Sequence, residues 1–318
     1  MKRILVVSYS QTGQLASVVR SVAAPLLDAP QVNVTFENLE PITPYAFPWP
    51  FLEFFNTFPE TVYARPRPLK PLRVGKNESF DLIVLAYQVW FLSPSQPMTA
   101  FLQTPEAEAW LRGKPVITLI ACRNMWLMAQ ETMKRTLSAL GAHLIDNVVL
   151  TDRAHSAATF VSTPMWMLTG RRGPFLGGMI PAAGIAPADI AAASRFGRAI
   201  AARLPHLDAA HPHPILTGLG AVRINERLIG SETIGYRSFR VWGRLLLTLG
   251  GPGSVLRRLV LCFYVVFLAA MILTVAPVGA LIKRMVAPWS RERIARQRAY
   301  FAAPSGEADG AGEFLAHG

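Results

Sequence analysis

The stretch VVSYSQTGQLASVV, Val6 to Val19, decides how this chain is read. It leaves a continuous aliphatic run, Ile4–Val7, which marks a strand covered on both faces. It then breaks into Ser8-Tyr9-Ser10-Gln11-Thr12-Gly13-Gln14, and apolar residues resume at Leu15, Val18, Val19, Val22 and Leu26. That second spacing is the stripe of an amphipathic helix. A buried strand entering a helix through small polar residues makes an anion site, because the first-turn amides are unpaired and the helix dipole adds partial positive charge. Ser8, Ser10 and Thr12 bring hydroxyl donors, and Gly13 lets the backbone approach a ligand closely. The turn is not GxGxxG and lacks the lysine of a Walker loop, so one terminal phosphate is expected rather than a diphosphate or triphosphate. An ordinary helix after a strand is the alternative.

Working outward, Val32–Phe36 alternates as a second strand, and "DLIVLA" (Asp81–Ala86), "PVITLIA" (Pro115–Ala121) and "HLIDNVVL" (His143–Leu150) read as further buried strands. Met125, Met128, Met133, Leu137 and Leu140 mark a helix that Gly141 ends, and Ala188 to Leu204 reads as a last helix. Strands alternating with helices predict an α/β fold, a doubly wound parallel sheet with helices on both sides. Two stretches interrupt it: 41–73, rich in proline and aromatics, and 163–184, rich in glycine and proline. The core domain is expected over 1–204 and a basic linker over 205–257. The three histidines of "LPHLDAAHPHP" (Leu204–Pro214) read as a solvated loop, and no metal site is expected.

The chain has 318 residues, 51% of them hydrophobic, a net charge of +12, a pI near 10.3 and a mean hydropathy of +0.29. Such apolar weight points to one segment that inflates the average. That segment is "LVLCFYVVFLAAMILTVAPVGALI", Leu259 to Ile282, free of charge and bracketed by Arg257-Arg258 and Lys283-Arg284. At helical rise it reaches about 36 Å, enough for a bilayer core. A membrane-embedded helix is expected over 258–284, with Trp289 at the interface and a basic, then flexible, tail over 285–318. Arginines lie on both sides of it, and Pro277 and Gly279 allow a kink, so a spanning helix and a monotopic one both satisfy the pattern. The arginines cluster beside the apolar run and follow no nucleic-acid motif, so lipid phosphates rather than nucleic acid are the expected partner. Two cysteines, Cys122 and Cys262, favour a reducing compartment. The short Ile4–Val7 run is no signal peptide, and the N-terminal domain is expected in the cytoplasm.

At the first loop the sequence resembles the flavodoxin-like family, whose Ser/Thr-x-Thr-Gly-x-Thr pattern holds the phosphate of FMN. Here it reads Ser10-Gln11-Thr12-Gly13-Gln14-Leu15, with Leu15 in place of the last hydroxyl. "YQVWFLSPSQPMTAFL" (Tyr87–Leu102) looks like the Trp-x-x-x-Pro segment of flavodoxin-like quinone reductases, which makes Trp90 and Phe91 candidates for contact with the flavin ring or hydrophobic plugs. "CRNMW" (Cys122–Trp126) follows the next strand. Arg123 is placed to face the pyrimidine oxygens or the surface, Asn124 to cap the following helix, and Cys122 to pack at the strand end. With the glycine- and proline-rich loop and the apolar C-terminal run, the chain looks more narrowly like the flavodoxin-like proteins of bacterial dialkylresorcinol and aryl-polyene biosynthesis.

That resemblance implies an FMN-dependent oxidoreductase at the cytoplasmic face of the inner membrane. It implies aromatisation of an alkylated cyclohexanedione, made by a ketosynthase, to a dialkylresorcinol: a base removes the proton alpha to a carbonyl, hydride passes to the flavin, and enolisation follows. Tyr87, Asp152 and His155 are the candidate acid/base groups. A quinone reductase using NAD(P)H, a membrane-tethered electron carrier and a flavin-free adaptor are the competing readings. The lipophilic substrate and the membrane segment fit together, since a product with two alkyl chains partitions into lipid.

Overall fold

The computed structural model describes residues 1–154, 156–208, 211–286 and 291–306. Within them β1 (Lys2–Ser8), α1 (Gln14–Leu27), β2 (Val32–Asn38), α2 (Phe51–Asn56), α3 (Phe58–Val62) and β3 (Leu82–Tyr87) come first. Next are β4 (Val89–Trp90), β5 (Ser93–Pro94), α4 (Gln96–Leu102), α5 (Pro105–Leu111), β6 (Pro115–Cys122), α6 (Leu127–Ala139) and β7 (His143–Thr151). Then follow α7 (Ser156–Thr169), α8 (Pro187–Ala192), α9 (Ser194–Arg203), α10 (Glu226–Thr248), α11 (Val255–Val286) and α12 (Arg291–Ala302).

The main sheet has the order β2-β1-β3-β6-β7, and each pairing in it is parallel. With the β4–β5 hairpin set aside this is the order 2-1-3-4-5. The fold is flavodoxin-like. Alternate residues of each strand enter opposite cores, which is why the strands read as unbroken apolar runs. Ile4 and Val6 of β1 pack with α1 and α9, whereas Leu5 and Val7 pack with α4, α5 and α6. Helices α1 and α9 approach so closely that a Cβ on Gly197 would meet the Val22 carbonyl oxygen at 1.9 Å.

Several sequence expectations need correction. The 41–73 interruption carries α2 and α3 between β2 and β3. The 163–184 interruption begins as helix, because α7 runs through Pro164, a residue that reads as a breaker. The expected helix Ala188–Leu204 is divided at Ala193 into α8 and α9. Asn124 caps nothing: α6 starts at Leu127 with Trp126 before it.

The largest correction concerns 205–257, which is no linker. Ile215, Leu216, Leu219 and Ala221 are buried in the core beside α1 and α9, and Val222 and Ile229 are buried in the opposite one. Asp146, on β7, is 0% exposed and accepts the amides of Ile215 (2.6 Å) and Leu216 (3.2 Å). The chain also returns after α11. Phe301 joins the core beside α6, and the Ser305 hydroxyl donates to Asp146 Oδ1 (3.0 Å) while accepting the Asn147 amide (2.6 Å).

Candidate functional site

The polar turn between β1 and α1 lies at the carboxyl edge of the sheet, beside the point where strand order reverses between β1 and β3. Gly13 is the N-cap of α1 at φ 81°, and a Cβ placed there would meet nothing within 4 Å. The glycine is therefore required by its backbone, and the space above it is open. Gly13 supplies no side-chain cap, so Ser10 does: its Oγ accepts the Ala16 amide at 3.1 Å. That contact fixes the hydroxyl oxygen and leaves its proton to donate outward.

The two glutamines turn away from the open space. Gln11 Nε2 donates to the Ala46 carbonyl (2.7 Å), and Gln14 Nε2 donates to the Ile185 carbonyl (3.4 Å). They stitch the turn to the 41–73 interruption and to Ile185, directly after the second interruption, instead of facing a ligand. Leu15 is 0% exposed and belongs to the core, so its side chain touches no ligand. Thr12, half-buried, has no hydrogen-bond partner among the described residues. The turn thus offers two hydroxyls, Ser10 and Thr12, with the first-turn amides that α1 leaves unpaired.

Above the turn sits an aromatic canopy. Trp90 is buried, with its ring 4.9 Å from Tyr45, 5.7 Å from Trp49 and 6.1 Å from Tyr9, the residue next to the polar turn. The β4–β5 hairpin presents it through Phe91 and Leu92, both at positive φ (48° and 59°), the turn that suits a two-residue hairpin. Phe91 packs on the outer side of this canopy, 4.9 Å from Phe54, 5.7 Å from Phe58 and 5.8 Å from Phe239, so it fastens the canopy to α10. Burial pushes the Tyr9 hydroxyl up to about 12 despite Arg67 nearby, and pushes Tyr45 up as well. Both phenols are therefore neutral packing groups. The same neighbourhood contains buried polar atoms with no partner among the described residues: Trp49 Nε1, Gln88 Oε1 and Ser95 Oγ. Each costs about 1–3 kcal/mol unless something hydrogen-bonds it.

The third loop is less open. Cys122 ends β6, and burial, with Glu232 adding to it, pushes its thiol up, so it is an inert packing group. Arg123 Nε donates to Thr159 Oγ1 (2.9 Å), and its guanidinium lies 4.0 Å over the Phe160 ring, so it is held by α7. Asn124 and Asp152 line a shallow cleft of about 490 Å³ with Arg153, Arg223 and Arg227. Both Asp152 oxygens are occupied by amides, Ala154 (2.9 Å) and Gly184 (2.8 Å). Tyr87 is 0% exposed and donates to Gln130 Oε1 (2.7 Å), which removes it from proton transfer. His155 lies outside the described residues, as does Trp289.

The aromatic stretch 45–63 reads from sequence as an apolar mouth over the flavin, but the sequence does not name Tyr45 and Trp49 as the partners of Trp90. Nor does it name Glu232. This buried carboxylate on α10 accepts the Met128 amide (2.8 Å) at the start of α6, and burial raises it to about 7. Nothing in local periodicity distinguishes it from a surface glutamate of an amphipathic helix.

No protein-family model matches the chain, and no curated protein matches it either. Solved structures do. A flavoprotein from Lactobacillus acidophilus, solved in complex with FMN, is 13% identical and aligns over 47% of this chain and 93% of its own (TM-score 0.38). A flavodoxin from the domain Archaea is 12% identical over 65% of this chain and all of its own (TM-score 0.37). A Fusobacterium nucleatum flavodoxin bound to flavin mononucleotide is 11% identical over 48% and 73% (TM-score 0.28).

Proposed function

We propose that the chain is an FMN-binding flavoprotein that performs redox chemistry on a lipophilic ring compound at a membrane surface. The observation that carries the reading is the β1–α1 turn: an open glycine, two free hydroxyl protons and unpaired amides at the switch point of a 2-1-3-4-5 sheet. Ser10, Thr12 and the amides of the turn would hold the phosphate. Trp90 and Tyr9 would flank the ring, and the partnerless Gln88, Ser95 and Trp49 atoms fit a polar ligand there. Bound flavin supplies hydride chemistry. The chain's own residues bind, orient and exclude water.

The finer reading is oxidative aromatisation of an alkylated cyclohexanedione to a dialkylresorcinol, with a ketosynthase supplying the substrate. The aromatic canopy supports an apolar substrate. It counts against an electron carrier, which leaves its flavin edge open to a partner protein. With Tyr87 buried and Asp152 occupied, His155 is the remaining acid/base candidate. A quinone reductase is the other enzyme compatible with an apolar mouth.

The test is release of the cofactor from detergent-purified full-length protein, with FMN titration of any colourless fraction. One FMN per chain is expected. Folded protein that is colourless and refuses FMN overturns the reading. Turnover of a cyclohexanedione with the bound flavin, against turnover of a quinone with NADPH, separates the two enzymes.

A further inference from the structure

We infer that α11 lies within one leaflet of an anionic membrane, with both its ends on the same side, and that it does not cross. This refines the membrane association proposed above and is independent of the flavin. The helix is unbroken over 32 residues, about 48 Å, which is ample for a span. Its neighbours forbid one. At its first turn Arg257 is 0% exposed and bonded to both Glu60 oxygens (2.6 and 2.7 Å) and to Asn56. Beyond its far end, Phe301 is buried in the core and Ser305 is bonded to Asp146 and Asn147 on β7. Both flanks are thus fastened to one globular domain, and a bilayer cannot pass between them.

What remains exposed is an apolar face. Leu261, Tyr264 and Leu268 of α11 turn toward Phe58 and Trp242, while Leu259 and Val266 on the opposite side stand about two-thirds exposed (64% and 69%), and Phe263, 63% exposed at the edge of Trp242, borders them. Only Arg257, Leu261 and Tyr264 of Val255–Thr274 are buried, whereas a soluble core helix is mostly covered. Val241 and Leu245 of α10 extend the patch, and the exposed Arg237, Arg244 and Arg258 stand among these residues. Apolar side chains rimmed by arginine, on a chain of charge +12, match a leaflet carrying phosphate head groups.

The test uses full-length protein with a protease-cleavable tag at each end. In flotation, vesicles of phosphatidylglycerol and phosphatidylcholine are expected to carry the protein, and pure phosphatidylcholine to carry less. Leu259→Glu with Val266→Glu is expected to cut the bound fraction more than about tenfold while thermal unfolding stays unchanged, since both side chains face outward. In sealed inside-out vesicles from expressing cells, protease is expected to remove both tags. Protection of one tag alone means a span and overturns the placement while leaving membrane association standing. Absence of flotation defeats membrane association altogether, and so does a lipid-free dimer that the double variant dissociates; the FMN titration is untouched by either.

Discussion

The sheet domain and the segment that follows it share two apolar cores, but the segment adds buried ionic and polar contacts of its own. Between β1 and α9 the chain is secured by two apolar cores, one on each face of the sheet, with no single polar contact in command. From Ile215 onward the chain also buries apolar side chains in those cores, and a few buried ionic or polar groups are added: Asp146 for Ile215, Leu216 and Ser305, Glu232 for the start of α6, and Arg257 for Glu60 and Asn56. Apolar cores are redundant and tolerate the loss of one group. Buried charges are not, because each partner left alone keeps its desolvation cost.

Arg257 is the most consequential of these buried groups. Arg257→Met leaves Glu60 and Asn56 facing an apolar side chain, and a loss of about 3–5 kcal/mol is expected in urea unfolding. Adding Glu60→Leu should restore much of it, since two apolar groups can replace a buried pair. A single-variant loss below about 1 kcal/mol would show that the segment is held by something else.

On the sheet side, Leu15→Ala should cost about 2–4 kcal/mol, the range for emptying a core leucine site. Flavin affinity per folded molecule should not move, because the side chain faces the core. A selective loss of flavin with stability intact would return Leu15 to the ligand site.

The same contrast explains what could be read in advance. The strands and α1 were legible because burial on both faces of a sheet, or on one stripe of a helix, repeats along the chain. The polar turn was legible because Ser10, Thr12 and Gly13 stand where aliphatic periodicity stops. The attachment of 215–306 was not. Asp146 sits inside "HLIDNVVL" like any strand residue, and Ser305 and Glu232 are separated from their partners by more than a hundred positions. Leu15 misled for a related reason: motif position suggested ligand contact, while its helical phase placed it in the core. Phe91, next to Trp90 on the hairpin, bridges the canopy to the cluster of Phe58 and Tyr264, a double role that motif position alone does not reveal.

Glu232 makes the attachment of α10 to α6 depend on pH. Its folded value of about 7 lies above its ordinary 4.5, and Asp146, at about 6, lies above 3.8. A raised carboxyl retains its proton in the folded chain after the unfolded chain has lost it. Stability is therefore fullest below the ordinary value and declines as pH rises through the window to about 7. Glu232→Gln keeps an oxygen for the Met128 amide and cannot ionise. Its stability should stay flatter from pH 5 to 8 and exceed that of the wild type at the alkaline end by about 1–3 kcal/mol. Parallel curves for the two proteins would mean that the carboxylate is solvated and does not clamp α6.

Within the sheet domain, the β1–α1 turn depends on small polar groups, and one substitution there is expected to act only on the ligand. Thr12→Val preserves shape in the β1–α1 turn and removes one hydroxyl donor. If that hydroxyl meets the phosphate, FMN affinity should fall about tenfold, the equivalent of about 1.4 kcal/mol. Thr12→Ser should bind nearly as the wild type does. Riboflavin, which lacks the phosphate, should bind both variants and the wild type alike, so the difference between the two ligands isolates the phosphate contact from any change in the canopy. Equal losses for FMN and riboflavin would place the effect in Trp90 and its neighbours. No loss for either would move the phosphate away from this turn, and the arginine-lined cleft at Arg153 and Arg223 would become the site to examine.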